Sequence, residues 1–120
     1  MPYLLIEYPK CSTCQKAKAW LVEKGVSFET RHIVENPPQA VELDGWQKLS
    51  DLPLKRFFNT SGLRYKALNL RDSLPDMSRE EQLELLASDG MLVKRPLLIG
   101  EGAVLVGFRP AEWEQALDVK

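Results

Sequence analysis

Of 120 residues, two are cysteine and one is histidine, and the two signs of charge nearly cancel. Each scarcity excludes something. Two cysteines are too few for the disulfide scaffold of a small secreted domain, and a chain of this length buries one core without such staples. Two thiols and His32 fall short of the four ligands that a structural zinc site needs within one subunit. Sixteen basic against seventeen acidic residues leave a net charge of −1, so the whole-chain field gives no drive toward DNA, RNA or anionic lipid. No apolar run is long enough to span a bilayer, and the opening MPYLLIEYP has neither a basic start nor a cleavage site. The expectation is a cytoplasmic protein of one domain over residues 1–120, with no metal, no membrane association and no direct nucleic-acid contact. In a reducing compartment a close pair of thiols points to catalysis or metal binding before a structural staple.

What is present follows a definite order. Tyr3 to Tyr8 is an apolar run stopped by Pro9 and reads as a buried strand. Ser12 and Thr13 are good helix-capping residues ahead of a helical stretch from Gln15 to Lys24, which Gly25 ends. Val26 to Ile33 suggests a second strand, parallel to the first through a βαβ crossover. From Pro37 to Gly90 no strand pattern occurs. Pro37-Pro38 opens a helix to about Lys48, Asp51-Leu52-Pro53 starts a short one that Asn59-Thr60-Ser61-Gly62 breaks, and Ser78 with Glu81 forms a capping box ahead of Leu83 and Leu86. Pro96–Ile99 and Val104–Val106 then read as two strands joined through Gly100-Glu101-Gly102, and Pro110 opens a last helix. The sum is an α/β chain of thioredoxin-like plan, β-α-β then β-β-α. Its thioredoxin-like part covers about 1–36 and 91–120, with an all-helical insert at about 37–90 between the halves.

Both cysteines lie in YPKCSTCQKA, at the junction of the first strand and the first helix. Backbone N–H groups without intrahelical partners and the positive end of the macrodipole favour a thiolate at Cys11. Such placement lowers a thiol from about 8.5 to as little as 3.5–7.5. Lys10 and Lys16 add positive charge. Cys14, one turn on, is near enough to attack a mixed disulfide formed at Cys11. The competing readings are a short structural disulfide, a zinc site shared between chains, and two inert buried thiols. Arg95-Pro96, an X-Pro pair that can be cis, and Arg109-Pro110 lie in loops that approach the end of the first strand. Two guanidiniums and a helix start would make an oxyanion cradle, against the plainer reading of two solvated charges.

YPKCSTCQKA, LPLKRFFNTSGLRYK, VKRPLLI and VGFRP, in this order, together resemble the arsenate reductase (ArsC) family over nearly the whole chain. The resemblance implies a thioredoxin-like fold with a helical insert, Cys11 as the nucleophile, and Arg95 and Arg109 as two of three oxyanion-binding arginines. Pro96 is implied as the structural cis-proline. The third arginine position falls on Asn59, and the nearby Arg56 does not match it. Cys14 departs from the glutaredoxin-linked reductases; a CxxC and the NTSG run look like the Spx/MgsR group, whose members bind RNA polymerase and sense thiol oxidation. That group does not share Arg109.

Two functions follow as expectations. One is a thiol–disulfide oxidoreductase, extending to arsenate reduction, with Cys11 attacking, Cys14 resolving, and Ser12, Arg95 and Arg109 binding a small oxyanion. It would need no cofactor, because electrons would come from glutathione with glutaredoxin or from thioredoxin. The alternative is a redox-sensing regulator that binds RNA polymerase with the CxxC as its switch. Trp20, Trp46 and Trp113 are expected as core anchors and His32 as a polar strand-end residue. Lys55, Arg56, Arg64 and Lys66 are expected on a solvated face.

Overall fold

Leu4, Leu5 and Ile6 are long apolar residues in succession, and they build the strand from which the sheet grows on both sides. In the computed structural model, which describes residues 2–119, the chain order is β1 (Tyr3–Glu7), α1 (Ser12–Glu23), β2 (Phe28–His32), α2 (Ala40–Ser50), α3 (Leu63–Ala67), α4 (Leu70–Ser73), α5 (Arg79–Ser88), β3 (Leu97–Gly100), β4 (Ala103–Val106) and α6 (Pro110–Leu117). Single 3₁₀ turns occupy Leu54–Phe57, Leu74–Asp76 and Gly90–Leu92. The chain separates into two units, Met1–His32 with Arg95–Lys120 and Ile33–Lys94.

The first unit holds a four-stranded sheet in the order β2-β1-β3-β4. β1 pairs parallel with β2, in register from Tyr3↔Phe28 to Glu7↔His32, and antiparallel with β3. β3 and β4 form the expected hairpin. Leu5 and Leu98 are register partners on one face of the sheet. Ala17 and Leu21 of α1 and Trp113 of α6 join them in one buried cluster. Trp113 is the fully buried anchor, and its indole N–H donates to the Gly107 carbonyl at 3.0 Å. Trp20 and Trp46, expected as anchors too, are only half-buried. Trp20 covers the cluster edge-on against Phe108 and Trp113.

The second unit is helical. Arg79 of α5 reaches Asp44 and Gln47 of α2, and Leu43, Leu83 and Leu86 are buried. The Ser78–Glu81 capping box forms as the sequence predicts. A side chain at Gly90 would meet the Ile33 carbonyl oxygen at 2.0 Å, so this position admits no Cβ without a shift of backbone.

Several boundaries differ from the sequence expectation. Pro37 and Pro38 precede α2, whose start is capped instead by Gln39 and Glu42. β2 is shorter than Val26–Ile33. α3 and α4, of five and four residues, were not expected, being too short to carry a periodic pattern. One antiparallel bridge, Phe58↔Val93, also pairs backbone within the insert. Among the described residues no helix is long and apolar enough to cross a membrane.

Candidate functional site

Pro9 and Lys10 carry the chain from β1 to α1, where Cys11 takes an extended conformation (φ −90°, ψ 119°) and is itself the N-cap. The helix therefore begins one step earlier than capping by Ser12 and Thr13 would require, and those two residues form its exposed first turn. Cys11 is half-buried, whereas Cys14 is fully buried. No disulfide joins the pair in this structure.

The two thiols are pushed apart. Partial burial works to raise the Cys11 pKa, but the backbone amide and thiol of Cys14, the Arg95 charge and the Thr13 amide outweigh it and hold the group below its ordinary value. The Cys11 side chain makes no formal capping hydrogen bond, so the first-turn amides act on it as nearby dipoles. Cys14 is pushed up to about 12, first by burial and then by its contact with Cys11 and the negative charge of Glu7, with the Tyr8 backbone opposing. No acidic residue lies in the first turn of α1 to weaken this bias.

Arg95 precedes a cis peptide to Pro96, the isomer that the resemblance implies. Its guanidinium carbon lies 5.4 Å from the Tyr8 ring centroid, within cation–π range. Tyr8 in turn meets His32 edge-on at 5.8 Å. Arg109 is placed differently. It is the N-cap of α6, its side chain is 67% exposed, and its Nε stands 3.8 Å from Glu112 Oε2. The structure thus joins Cys11, Cys14, Tyr8 and Arg95 electrostatically, while the Arg109 side chain is directed at its own helix.

Sequence reasoning missed Glu7. It is the buried charged residue among the described residues, only 3% exposed, and Lys18 Nζ lies 3.1 Å from its Oε1. Two signals could have found it. Glu7 shares a strand face with Leu5 at i+2, and Lys18 shares a helix face with Cys14 at i+4. Asn59, at the third arginine position, belongs to the second unit, where its N–H donates to the Leu92 carbonyl. The basic stretch there divides: Arg64 pairs with Asp89, while Lys55 and Arg56 join Lys94 around an open cleft of about 290 Å³. Among the described residues no cluster of His, Cys, Asp and Glu has the makings of a metal site.

The ArsC family model matches residues 6–116. This chain belongs to the ArsC family. Among curated relatives, uncharacterized protein YusI of Bacillus subtilis (strain 168) is 54% identical over 108 residues, covering 90% of this chain and 92% of YusI. Regulatory protein MgsR of the same organism is 31% identical over 105 residues, covering 88% of this chain and 82% of MgsR. A crystal structure described as a possible arsenate reductase from Streptococcus mutans UA159 superposes with a TM-score of 0.87 at 48% identity, covering 97% of each chain. ArsC membership and the sheet order together make the fold thioredoxin-like with a helical insert.

Proposed function

We propose that this ArsC-family chain is a cytoplasmic thiol–disulfide oxidoreductase in which Cys11 is the attacking thiolate and Cys14 the resolving thiol. The observation that supports it most is the opposite bias of the two sulfurs at one helix start, Cys11 held low and accessible, Cys14 held high and buried. A nucleophile must be ionised and reachable; a resolving thiol must stay protonated and adjacent until a mixed disulfide forms. Cys11 attacks a sulfur of a disulfide substrate and expels one thiolate. Cys14 then attacks Cys11, closing the internal disulfide and expelling the second thiolate. Two electrons from glutathione with glutaredoxin, or from thioredoxin, restore the dithiol.

Arg95 and the first-turn amides, with Ser12, would hold an anionic group of the substrate beside Cys11. Reduction of arsenate is the specific form of this activity, and the S. mutans structure lends it support. Turnover of arsenate and of a low-molecular-weight disulfide, each with the two donor systems, tests the proposal. Turnover of either that is lost in Cys11→Ser is the expected result. No turnover of either overturns the enzyme.

One observation favours a second reading. Arg109 is exposed and paired with Glu112 rather than directed at Cys11, which suits a thiol switch better than a two-arginine anion site. Together with the similarity to MgsR, it supports a redox-sensing regulator whose partner is RNA polymerase. Retention of purified polymerase on the reduced or oxidised protein, lost in Cys11→Ser, would establish it.

A further inference from the structure

We infer that the Glu7 carboxylate is the base that takes the proton from Cys14 when that thiol closes on a mixed disulfide at Cys11. The inference deepens the thiol–disulfide reading and rests on it.

The argument is geometric first. Leu5 and Glu7 alternate along β1 and so face the same side, and Leu5 packs on Ala17 and Leu21 of α1. Cys14, Ala17, Lys18 and Leu21 form the i, i+3, i+4, i+7 stripe of that helix, with Cys14, Ala17 and Leu21 fully buried. In a strand followed by a crossover helix, the strand's last residue lies beside the helix's first turns. Glu7 is the last residue of β1, and its 3.1 Å contact with Lys18 fixes it against the turn that Cys14 begins. A carboxylate this buried is costly and persists only with a partner or a task. Lys18 is its partner across that 3.1 Å ion pair.

The task follows from Cys14. Burial and the Glu7 charge both push the Cys14 thiol up, and both remain when Cys11 is tied in a mixed disulfide, so Cys14 meets that disulfide protonated. Unaided attack would proceed through a vanishing thiolate fraction, so the step calls for a proton acceptor. In the closing step the Cys14 S–H proton passes to a Glu7 oxygen as the Cys14 sulfur bonds to the Cys11 sulfur. The Cys11–substrate S–S bond breaks, and the departing thiolate carries off the electron pair and is protonated by solvent. Glu7 then returns its proton to solvent. The only oxidant is the substrate disulfide itself.

The charged and titratable groups around Glu7 are Cys14 and Lys18 from α1, His32 opposite it in β2, and, beyond them, Cys11, Tyr8 and Arg95. His32 is therefore the rival base, and its substitution is the control.

The test uses full-length protein and a bis(nitrobenzoate) disulfide, whose thiolate is coloured. The first equivalent released reports attack by Cys11, and the second reports closure by Cys14. In the wild type, closure should become independent of pH well below the range in which Cys14 ionises unaided. Glu7→Gln should slow closure roughly a hundredfold at neutral pH, the scale of general-base assistance, and make it climb tenfold per pH unit, with the first release almost unchanged. Should that variant fail to fold, the wild-type and His32→Gln profiles decide together. A tenfold-per-unit rise in the wild type overturns the inference, as does a plateau that survives in Glu7→Gln but vanishes in His32→Gln. Faster closure in Glu7→Gln also overturns it, because a merely electrostatic Glu7 holds Cys14 protonated and its loss would speed attack. Wild-type protein that releases one equivalent and never the second refutes the resolving role of Cys14 and this inference together. Two releases without a plateau refute Glu7 alone.

Discussion

The Cys14 thiol is directed at the Cys11 sulfur from one turn further along α1, and this single contact lowers one titration while raising the other. It stabilises negative charge on Cys11 by donating to it, and keeps Cys14 protonated because a second negative sulfur beside the first would be unfavourable. The pair titrates as a unit, and the fold decides which member ionises first through exposure: Cys11 at the helix start, Cys14 beneath it.

Alkylation separates the two. With limiting iodoacetamide near neutral pH, Cys11 should be modified much faster than Cys14, and its rate should level off at a lower pH than that of free cysteine. Peptide mapping of the modified protein reads the result. Equal slow labelling of both positions would remove the nucleophile assignment.

Alkaline pH should weaken the fold through Cys14. Its folded value of about 12 stands above the ordinary 9.0, so its stabilising contribution is complete below about 9 and is gone once the pH has risen through the folded value. Over that window the unfolded chain holds fewer protons, and stability should fall at up to about 1.4 kcal/mol per pH unit. Cys11, held low, acts in the opposite sense and contributes above its folded value. Urea midpoints from pH 7 to 11 should drop less steeply in Cys14→Ala than in the wild type.

The two arginines should behave unequally. Arg95→Ala should raise the Cys11 pKa and slow its alkylation severalfold, because Arg95 acts on that sulfur directly. Arg109→Ala should leave the anion-free thiol unchanged, its side chain being exposed and turned to Glu112. Protection of Cys11 by sulfate or arsenate supplies the second readout. Arg95→Ala should weaken it about tenfold or more, consistent with a charge-assisted hydrogen bond of roughly 1.5–3 kcal/mol. If Arg109→Ala weakens protection as much, Arg109 reorients when an anion binds.

Replacing Trp113 by Ala should cost about 3–5 kcal/mol, the range for a buried aromatic. It removes the centre of the β1–α1–α6 cluster and orphans the Gly107 carbonyl. Thermal melting monitored by circular dichroism checks it. A loss below about 1 kcal/mol would mean that Trp20 and Phe108 repack into the space.

The sheet and the CxxC were legible because they rest on local signals: the apolar run of β1, the glycines of the β3–β4 hairpin, and Pro110 at the start of α6. The capping box at Ser78 was legible for the same reason. What sequence missed depends on meetings at a distance. Glu7 reads as an ordinary strand-end acid until Lys18 and the buried side of α1 are placed against it. Arg109 reads as a binding residue by its motif, and its exposed side chain stands by Glu112, three residues on, a local contact that the motif does not announce. The helix begins at Ser12 because the extended backbone at Cys11 leaves the N-cap position to the cysteine itself, a matter of φ and ψ that composition does not carry.

The placement of β1 between β2 and β3 has a consequence for the insert's size. β2 ends beside the last residues of β1, and β3 begins there too, with Glu7↔His32 and Ile6↔Leu97 as the flanking pairs. The chain thus leaves the sheet and returns to it at the same end, two strand spacings or roughly 10 Å apart, a gap that three or four extended residues can cross. Beyond that short minimum the ladder sets no maximum for what is spliced in, since longer closures cost only slowly more entropy. Natural or engineered variants should therefore be free to shorten, lengthen or exchange the whole of 33–94 while the thiol end of the sheet keeps its register.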